Sequence, residues 1–474
     1  MLKKNPKQEF TDFVHSSLPF VPNTDQKEAI EKISDFLFDN DERGVFILKG
    51  YAGTGKTNLI SAITKVLPSI RWRSVLLAPT GRAAKVLSHY AQRPAFTIHK
   101  KIFRKEITAG GAFQFSLAEN LHKHTLFIVD EASMISADSG GESLFNSLLE
   151  NLFEYVYSGD HCKLILIGDT AQLPPVGSSE SPALNKDYLK TAFYLNIKVF
   201  ELKEVARQRL ESGILLNATN LRNSITGVEF EFPKLVCGPD VVDVTGEELE
   251  DQLNSCLSKY GEENVVIITR SNKRANLFNQ SFRNRIKLYE EDLCTGDKLM
   301  VVKNNYFWLP DNNGEAGFIA NGDMMEITRL LKRESLYEFD FCDCMVRFVD
   351  YPNLPEQEVK LITNSLFTDA PALTQEEQQK LYENVLGDVR DEPSKGARIA
   401  YLKKSPYYNA LQVKFSYAIT CHKSQGGQWP VVFIDQGYLK EDQMDANFTR
   451  WLYTAVTRAT EKLFLINFNK LFFS

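Results

Sequence analysis

The sequence predicts an α/β protein with two parallel-sheet domains, and three observations support this prediction. Short, unbroken apolar runs recur in two separate regions of the chain, with helical patterns between them. Such strands are typical of parallel sheets because helices cover both faces of the sheet. The length of 474 residues exceeds what one hydrophobic core normally serves, so about two to four domains are expected. The candidate strands are 45–48, 75–78, 126–129 and 164–167 in the first region, and 265–269, 431–434 and 463–466 in the second.

A third region, about 300–410, has a different character, because turn-rich β segments replace the long apolar strands. It also contains a polar helix with a capping box at Thr374 and Glu377 and an end at Gly387. The apolar stripe of this helix is narrow, so we expect the helix to project as an arm rather than to fill a core.

The composition restricts the class of protein. A hydrophobic content of 43% with 24% charged residues is typical of globular proteins. The net charge of −6 argues against a broadly basic surface, although a local cluster of Lys and Arg can still bind nucleic acid. The seven scattered cysteines are expected to be reduced thiols of a cytoplasmic protein, near the nucleoid in a bacterium. No apolar run has the length of a signal peptide or a membrane span, so no membrane partner is expected.

Residues 50–57, GYAGTGKT, match the phosphate-binding pattern G-x-x-x-x-G-K-[ST] between a predicted strand and a predicted helix. Gly50, Gly53 and Gly55 allow the backbone N–H groups to curve around a β-phosphate. Lys56 supplies positive charge to the β- and γ-phosphates, and the Thr57 hydroxyl is predicted to ligate Mg²⁺. The pattern therefore predicts a nucleoside triphosphate and Mg²⁺ as cofactors.

Two later strands end in polar residues that fit the same chemistry. The run LFIVDEAS at 126–133 places Asp130 where it would hold Mg²⁺ and Glu131 where it would orient an attacking water. The run LILIGDTAQLPPVG at 164–177 offers Gln172, which can reach the γ-phosphate and report its loss. The chain has no N-K-x-D motif for guanine, so the sequence favours hydrolysis of ATP over a GTP-dependent switch.

Further blocks follow in an order that resembles superfamily 1 DNA helicases. The QLPP and HKSQG forms are similar to superfamily 1B, which includes the RecD-like and Dda-like enzymes. The resemblance extends from about residue 24 to residue 460 and implies two RecA-like motor domains with an inserted β-hairpin and an SH3-like module. The additional blocks are APTGRAAKVLS (78–88), TIHK (97–100), VARQ (205–208), YAITCHKSQG (417–426) and YTAVTRA (453–459).

The resemblance assigns further residues to the nucleotide. Gln26 would read the adenine edge, and Gly426 would turn close to the nucleotide. Arg207 and Arg458 would reach the γ-phosphate across a cleft, so they would stabilise its charge only when the two domains close. Gln428 stands where many relatives carry an acidic residue, and its role stays open.

The resemblance also implies contacts with the nucleic-acid strand and a hairpin insert at about 101–124. The hairpin would be a pin that splits the duplex, with Phe113 stacking on a base. The alternative is a hairpin whose aromatic side chains only pack beneath it. The predicted contacts to the strand are Thr80, Gly81, Arg82, Thr97, His99, Thr420, His422, Lys423 and Ser424.

The domain boundaries implied by the resemblance are 1–200 for the first motor domain, 201–300 with 405–474 for the second, and 301–404 for the SH3-like module with its arm. The expected function is an ATP-dependent DNA helicase that moves 5′→3′ on single-stranded DNA. The alternatives are a single-strand translocase that displaces proteins and a helicase acting on RNA or RNA–DNA hybrids. Expected partners are single-stranded DNA, forked duplex DNA, and single-strand-binding, replication or repair proteins.

Overall fold

The structure is a computed structural model and describes residues 5–107, 113–137, 147–204, 212–226, 234–309, 319–351, 353–439 and 443–473. Within these ranges, no helix is both long enough and apolar enough to cross a membrane. All seven cysteines lie in these ranges and are free thiols.

Strands and helices alternate along most of the chain. The strands are β1 (Gly44–Gly50), β2 (Arg73–Ala78), β3 (Ala95–Thr97), β4 (Phe103–Ile107), β5 (Phe113–Leu117), β6 (Thr125–Val129), β7 (Lys163–Gly168), β8 (Asn196–Leu202), β9 (Val241–Val244), β10 (Val265–Thr269), β11 (Lys298–Val301), β12 (Met324–Leu336), β13 (Phe339–Phe348), β14 (Gln357–Ile362), β15 (Leu411–Phe415), β16 (Ala418–Thr420), β17 (Trp429–Asp435) and β18 (Ala459–Ile466). The helices are α1 (Pro6–Ser17), α2 (Thr24–Leu37), α3 (Lys56–Val66), α4 (Gly81–Ala91), α5 (Ile98–Ile102), α6 (Leu148–Tyr157), α7 (Lys186–Phe193), α8 (Gly213–Thr226), α9 (Leu249–Tyr260), α10 (Asn272–Ser281), α11 (Asn364–Phe367), α12 (Gln375–Gly387), α13 (Lys395–Lys404), α14 (Cys421–Ser424) and α15 (Ala446–Val456).

The first domain contains a six-stranded sheet in the order β3-β2-β6-β7-β1-β8, and every neighbouring pair is parallel. The four predicted strands of this region form the centre of the sheet. Strands β3 and β8 were not predicted, because β3 has only three residues and β8 is a half-buried edge strand without a continuous apolar run. Strand β8 ends at Leu202, so the first sheet extends just past the predicted boundary at 200.

The second domain contains a five-stranded parallel sheet in the order β16-β10-β17-β18-β9. All five residues of β10 are buried, as expected for a strand that helices cover on both faces. Two parallel α/β sheets are therefore present, and the predicted fold class is confirmed.

Between strands β10 and β16 of the second domain, the chain forms strands β11 to β15, which make a closed barrel. The barrel extends beyond the predicted limits of 301–404, because β11 begins at Lys298 and pairs antiparallel with β15, which ends at Phe415. A small insert in the first domain is the predicted hairpin, formed by the antiparallel strands β4 and β5. Its turn, at 108–112, and the side chain of Phe113 lie outside the described residues.

Helices α11 to α13 form the arm next to the barrel. The capping box of Thr374 and Glu377 is present at the start of α12 and confirms that prediction. The expectation that α12 would not contribute to a core is wrong, since Leu381 and Val385 are buried against barrel residues such as Phe341. The narrow stripe is sufficient because it packs into a small separate core between the arm and the barrel.

Candidate nucleotide and nucleic-acid site

A cavity of about 1130 Å³ lies between the two motor domains. Its walls combine residues from the first domain, which carries the phosphate loop, with residues from the loop after α14 and the end of α15. Among the predicted residues that line it are Gln26, Gly53, Gly55, Lys56, Thr57, Asp130, Glu131, Gln172, Gly426, Gln428 and Arg458. One cleft thus collects side chains that are more than 400 positions apart in the chain.

The phosphate loop connects the end of β1 to the start of α3. Gly53 and Gly55 have φ angles of 80° and 86°, in the left-handed region that favours glycine. The Lys56 ammonium donates hydrogen bonds to the carbonyl oxygens of Gly50 and Tyr51 at 2.6 and 2.9 Å. The lysine therefore folds over the loop from the first turn of the helix, with its charge at the cavity wall.

Gln26 is rigidly held at one end of the cleft. Its side-chain oxygen accepts a hydrogen bond from the Asn23 amide at 3.1 Å, and its nitrogen donates to the Thr54 carbonyl at 3.0 Å. A Cβ on Gly55 would come within 2.6 Å of the Gln26 nitrogen, so the loop needs glycine there to approach this side chain. A second amide hydrogen and a second oxygen lone pair remain on Gln26, which suits the donor and acceptor edge of adenine.

Asp130 and Glu131 follow β6 at the base of the cleft. The Asp130 carboxylate accepts a hydrogen bond from the Glu131 amide at 2.9 Å, and Glu131 has an unusual φ of 51°. Positive φ in a residue other than glycine is uncommon and is often found at active sites. Burial raises the pKa of both carboxyl groups, and for Glu131 the nearby Arg458 opposes this effect. A carboxylate with a raised pKa is a stronger base toward water.

Gln172 projects from the loop after β7. Its side-chain oxygen is buried and has no hydrogen-bond partner among the described residues. Because a buried polar atom without a partner is costly, this oxygen is suited to accept a hydrogen bond from a donor such as a water in the cleft, while the side-chain nitrogen can donate to a phosphate.

Arg458 enters the cleft from the end of α15. Its guanidinium group donates to the carbonyl oxygens of Thr454 and Gly427 at 3.0 and 3.2 Å, and one nitrogen lies 3.9 Å from the Glu131 carboxylate. These bonds hold the guanidinium group in place on the second domain and aim it across the cleft. Arg207, the other predicted arginine, lies outside the described residues.

The predicted contacts to the nucleic-acid strand at 80–82 lie at the start of α4. The Thr80 hydroxyl caps the helix by accepting a hydrogen bond from the Ala83 amide at 3.2 Å. The Arg82 guanidinium stacks 3.8 Å above the ring of Trp429 in the second domain. In this structure Arg82 therefore contacts the opposite motor domain.

The barrel covers part of the same surface. Gly81 packs on Asp323, whose carboxylate accepts a hydrogen bond from the Tyr351 hydroxyl at 3.2 Å. Burial raises the pKa of Asp323 to about 7. The ammonium of Lys85 lies 3.4 Å from the carboxylate of Asp350. A nucleic-acid strand bound along the start of α4 would have to displace these contacts with the barrel.

The predicted contacts at 97–99 are largely buried. The Thr97 hydroxyl caps α5 by accepting from the Lys100 amide at 3.1 Å. Burial lowers the pKa of His99 to about 4, so this imidazole is neutral at pH 7. It can therefore contribute a hydrogen bond to a strand, but no charge.

The predicted contacts at 420–424 differ in their exposure. Thr420 is partly exposed and precedes α14, while His422 is exposed. Lys423 donates a hydrogen bond to the side-chain oxygen of Asn321 in the barrel, and burial lowers the pKa of this lysine to about 8. Ser424 is fully buried and its hydroxyl donates to the Cys421 carbonyl at 2.7 Å, so the structure does not bring Ser424 to the surface.

The structure also gives the surroundings of Gly426 and Gln428 in the nucleotide cleft. Gly426 has a φ of 73° and packs so closely on α4 that a Cβ would lie 2.6 Å from Ala83. Gln428 lines the cavity, and its side-chain oxygen lies 3.5 Å from the Tyr90 hydroxyl. Tyr453, the first residue of the YTAVTRA block, was not predicted as a site residue, yet its hydroxyl contacts the phosphate loop.

Two segments of the chain match described protein families. Residues 22–230 match the family described as AAA domain, and residues 415–466 match the family described as UvrD-like helicase C-terminal domain. The chain is 28% identical over 264 residues to the ATP-dependent DNA helicase dda of Enterobacteria phage T4, an alignment that covers 54% of this chain and 55% of the relative. It is 23% identical over 470 residues to the ATP-dependent RecD2 DNA helicase of Deinococcus radiodurans, covering 94% of this chain and 50% of the relative.

The chain thus spans about half the length of these two relatives. Among solved structures, the Pif1 helicase from Bacteroides in complex with ADP-AlF3 and ssDNA aligns with 96% of this chain and 95% of its own, at 15% identity and a TM-score of 0.47.

Proposed function

The chain belongs to superfamily 1B of the helicases, and we propose that it hydrolyses ATP to move 5′→3′ along single-stranded DNA and to unwind duplex DNA. The observation that carries this proposal is the shared cleft. Lys56 and Glu131 of the first motor domain face Arg458 of the second across one cavity. A cleft built from two domains can couple the state of the nucleotide to the distance between them.

The residues of the cleft also fit Mg²⁺. Hydroxyl and carboxylate oxygens are the ligands that this ion prefers, and Thr57 and Asp130 present both at the cavity wall. When bound between them and the phosphates, Mg²⁺ would neutralise part of the triphosphate charge.

The protein residues have separate tasks in the proposed reaction. Glu131 orients the attacking water by accepting a hydrogen bond from it, and its raised pKa makes it a stronger acceptor. Arg458 and Lys56 stabilise the charge on the transferred phosphoryl group from opposite sides. Gln172 would donate a hydrogen bond from its side-chain nitrogen to the γ-phosphate and lose that bond when the phosphate leaves.

The direction of movement is tested with duplexes that differ only in their overhang. A duplex with a 5′ single-stranded overhang is expected to be unwound, whereas a duplex with only a 3′ overhang is not. The measurement is strand separation in the presence of ATP and Mg²⁺, with matched RNA overhangs in parallel and Lys56→Ala as the inactive control.

Each result of this assay has a defined meaning. Unwinding from the 3′ overhang alone would refute the proposed polarity while leaving the ATP chemistry intact. Stimulation of ATP turnover by single strands without any unwinding would indicate a translocase. A clear preference for RNA overhangs would contradict DNA as the substrate.

Binding of single-stranded DNA is expected to weaken between pH 7 and pH 9, because Lys423 loses its charge near pH 8. The group is a cation below its pKa and neutral above it, so it can pair with a phosphate at the lower pH. Neutralisation of this one cation should also reduce the log–log salt slope by about 0.7. The measurement is fluorescence anisotropy with an oligo-dT probe across pH and salt.

The variant Lys423→Arg provides the control for this pH effect, because arginine stays charged throughout this range. It should bind with little change between pH 7 and pH 9. An equal weakening in Lys423→Arg would assign the pH dependence to another group.

A further inference from the structure

One tyrosine hydroxyl joins three parts of the nucleotide cleft. Tyr453, in α15 of the second domain, accepts a hydrogen bond from the Ala52 amide of the phosphate loop at 3.0 Å. The same hydroxyl donates to the Asp169 carboxylate at 2.6 Å. The other oxygen of Asp169 accepts from the Ala171 amide at 2.9 Å. These four residues form a continuous hydrogen-bonded chain across the domain boundary.

The topology of the first domain brings Ala52 and Asp169 together. Strands β1 and β7 are parallel neighbours with Lys49 opposite Gly168, so the residues that follow them leave the sheet at the same edge. Tyr453 itself is 1% exposed. Burial, together with the charge of Asp169, raises the pKa of Tyr453 well above its usual value, so the hydroxyl keeps its proton and remains a donor.

Helix α15 also holds the loop that carries Gln172. The Arg450 guanidinium donates to the Thr170 carbonyl at 2.5 Å, and the Thr454 hydroxyl accepts from the Leu173 amide at 2.9 Å. The loop is thus fixed to the second domain on both sides of Gln172. Of these α15 residues, Tyr453 is the one that reaches the phosphate loop as well.

We propose that Tyr453 is a positioning residue that aligns the phosphate loop with the Gln172 loop only when the two motor domains are closed. The length of a hydrogen bond varies by only a few tenths of an ångström. A small separation of the domains would therefore break both bonds of the hydroxyl together. The inference rests on the proposed ATP hydrolysis: binding of a single strand that favours closure would form these bonds and speed turnover. Tyr453 acts through Ala52 and Asp169 and does not line the cavity itself.

The competing explanation is that Tyr453 only stabilises the fold. The chain contains a matched control for this explanation in Tyr417, which is 4% exposed. Its hydroxyl accepts from the Lys298 amide at 3.2 Å and donates to the Asp297 carboxylate at 3.0 Å. Tyr417→Phe therefore removes the same two kinds of hydrogen bond away from the nucleotide cleft.

The test compares Tyr453→Phe with Tyr417→Phe in the whole chain of 474 residues. The measurements are kcat and KM for ATP, with and without oligo-dT, and the melting temperature. In Tyr453→Phe, the factor by which oligo-dT stimulates kcat is expected to fall about tenfold, with little change in KM. Tyr417→Phe is expected to keep the stimulation of the unmodified protein, with a comparable loss of melting temperature.

A second variant breaks the same hydrogen bond from its acceptor side, so the role can be tested even if Tyr453→Phe misfolds. Asp169→Asn removes the charged acceptor of the hydroxyl while leaving the aromatic core unchanged, and it should lose stimulation to a similar extent. The double variant should lose no more than either single variant, because both changes break one chain of bonds.

The outcomes separate this inference from the proposed function. Full stimulation in Tyr453→Phe and Asp169→Asn, with stimulation in the unmodified protein, would overturn the positioning role alone. Equal losses in the Tyr453 and Tyr417 variants would support the purely structural explanation and also overturn it. An unmodified protein whose ATPase does not respond to oligo-dT would refute the proposed function, and this inference with it.

Discussion

Replacing Glu131 with glutamine is expected to lower kcat for ATP hydrolysis by about 10²–10⁴-fold, the usual contribution of a positioned general base. Glutamine keeps the size of the side chain but cannot carry the negative charge that orients and polarises the attacking water. ATP binding should persist, because the phosphate loop and Gln26 do not depend on that charge. The measurements are steady-state turnover with single-stranded DNA and equilibrium binding of a fluorescent ATP analogue.

The pH dependence of the unmodified enzyme provides an independent check. Burial raises the pKa of Glu131, so the active carboxylate form is lost as the pH falls through a value above that of an ordinary glutamate. In Glu131→Gln, only the acidic limb that belongs to Asp130, whose pKa burial also raises, should remain in the residual activity. Glu154→Gln, at an exposed position of α6, is the control and should behave like the unmodified protein. Near-normal turnover in Glu131→Gln would remove Glu131 from the mechanism.

The central strands were predictable because burial on both faces leaves an unbroken apolar run in the sequence. β10 and β17, for example, coincide closely with predicted segments. The edge strands were not, since β8 is half-buried and mixes polar with apolar residues. The limits of the barrel were missed for a related reason. Strand β15 lies inside the segment expected to continue the second motor domain, and its pairing with β11 and β14 assigns it to the barrel.

The local parts of the site were predictable to a similar degree. The phosphate loop and the pair Asp130–Glu131 are contiguous motifs, and the structure places them on the wall of one cavity. Contacts made by tertiary approach left no comparable signal. The bond between Ala52 and Tyr453 joins residues 401 positions apart, and the stacking of Arg82 on Trp429 crosses the domain boundary. A short motif cannot show which distant side chain will meet it.

Burial also limited what the motifs could show. Ser424 belongs to the HKSQG block, yet its hydroxyl is used inside the protein by the Cys421 carbonyl. His99 belongs to the TIHK block, and its burial removes the positive charge that a phosphate contact would use. The residue types were therefore compatible with strand contacts, but the depth of each side chain decides which contact it can make.

Replacing Arg458 with alanine is expected to lower kcat by about 10³–10⁵-fold, the range for an arginine that stabilises phosphoryl-transfer charge. Its guanidinium group is fixed by the carbonyl oxygens of Thr454 and Gly427, so in the proposed reaction it would meet the γ-phosphate without reorganisation when the domains close. ATP affinity should change much less than kcat, because most of the residues that line the cavity belong to the first domain. The measurements are turnover, binding of an ATP analogue and the melting temperature.

Controls distinguish this catalytic effect from a loss of structure. Arg458→Lys keeps a positive charge but loses the planar fork that binds two carbonyl oxygens and a phosphate at once, so it should recover little activity. Arg347→Ala removes an exposed arginine that pairs with Glu326 in the barrel, and it should retain turnover. If Arg458→Ala lost activity only in proportion to its melting temperature, the arginine would be a structural link within the second domain. A stable Arg458→Ala protein that binds ATP and DNA but does not turn over would assign the γ-phosphate contact to this side chain.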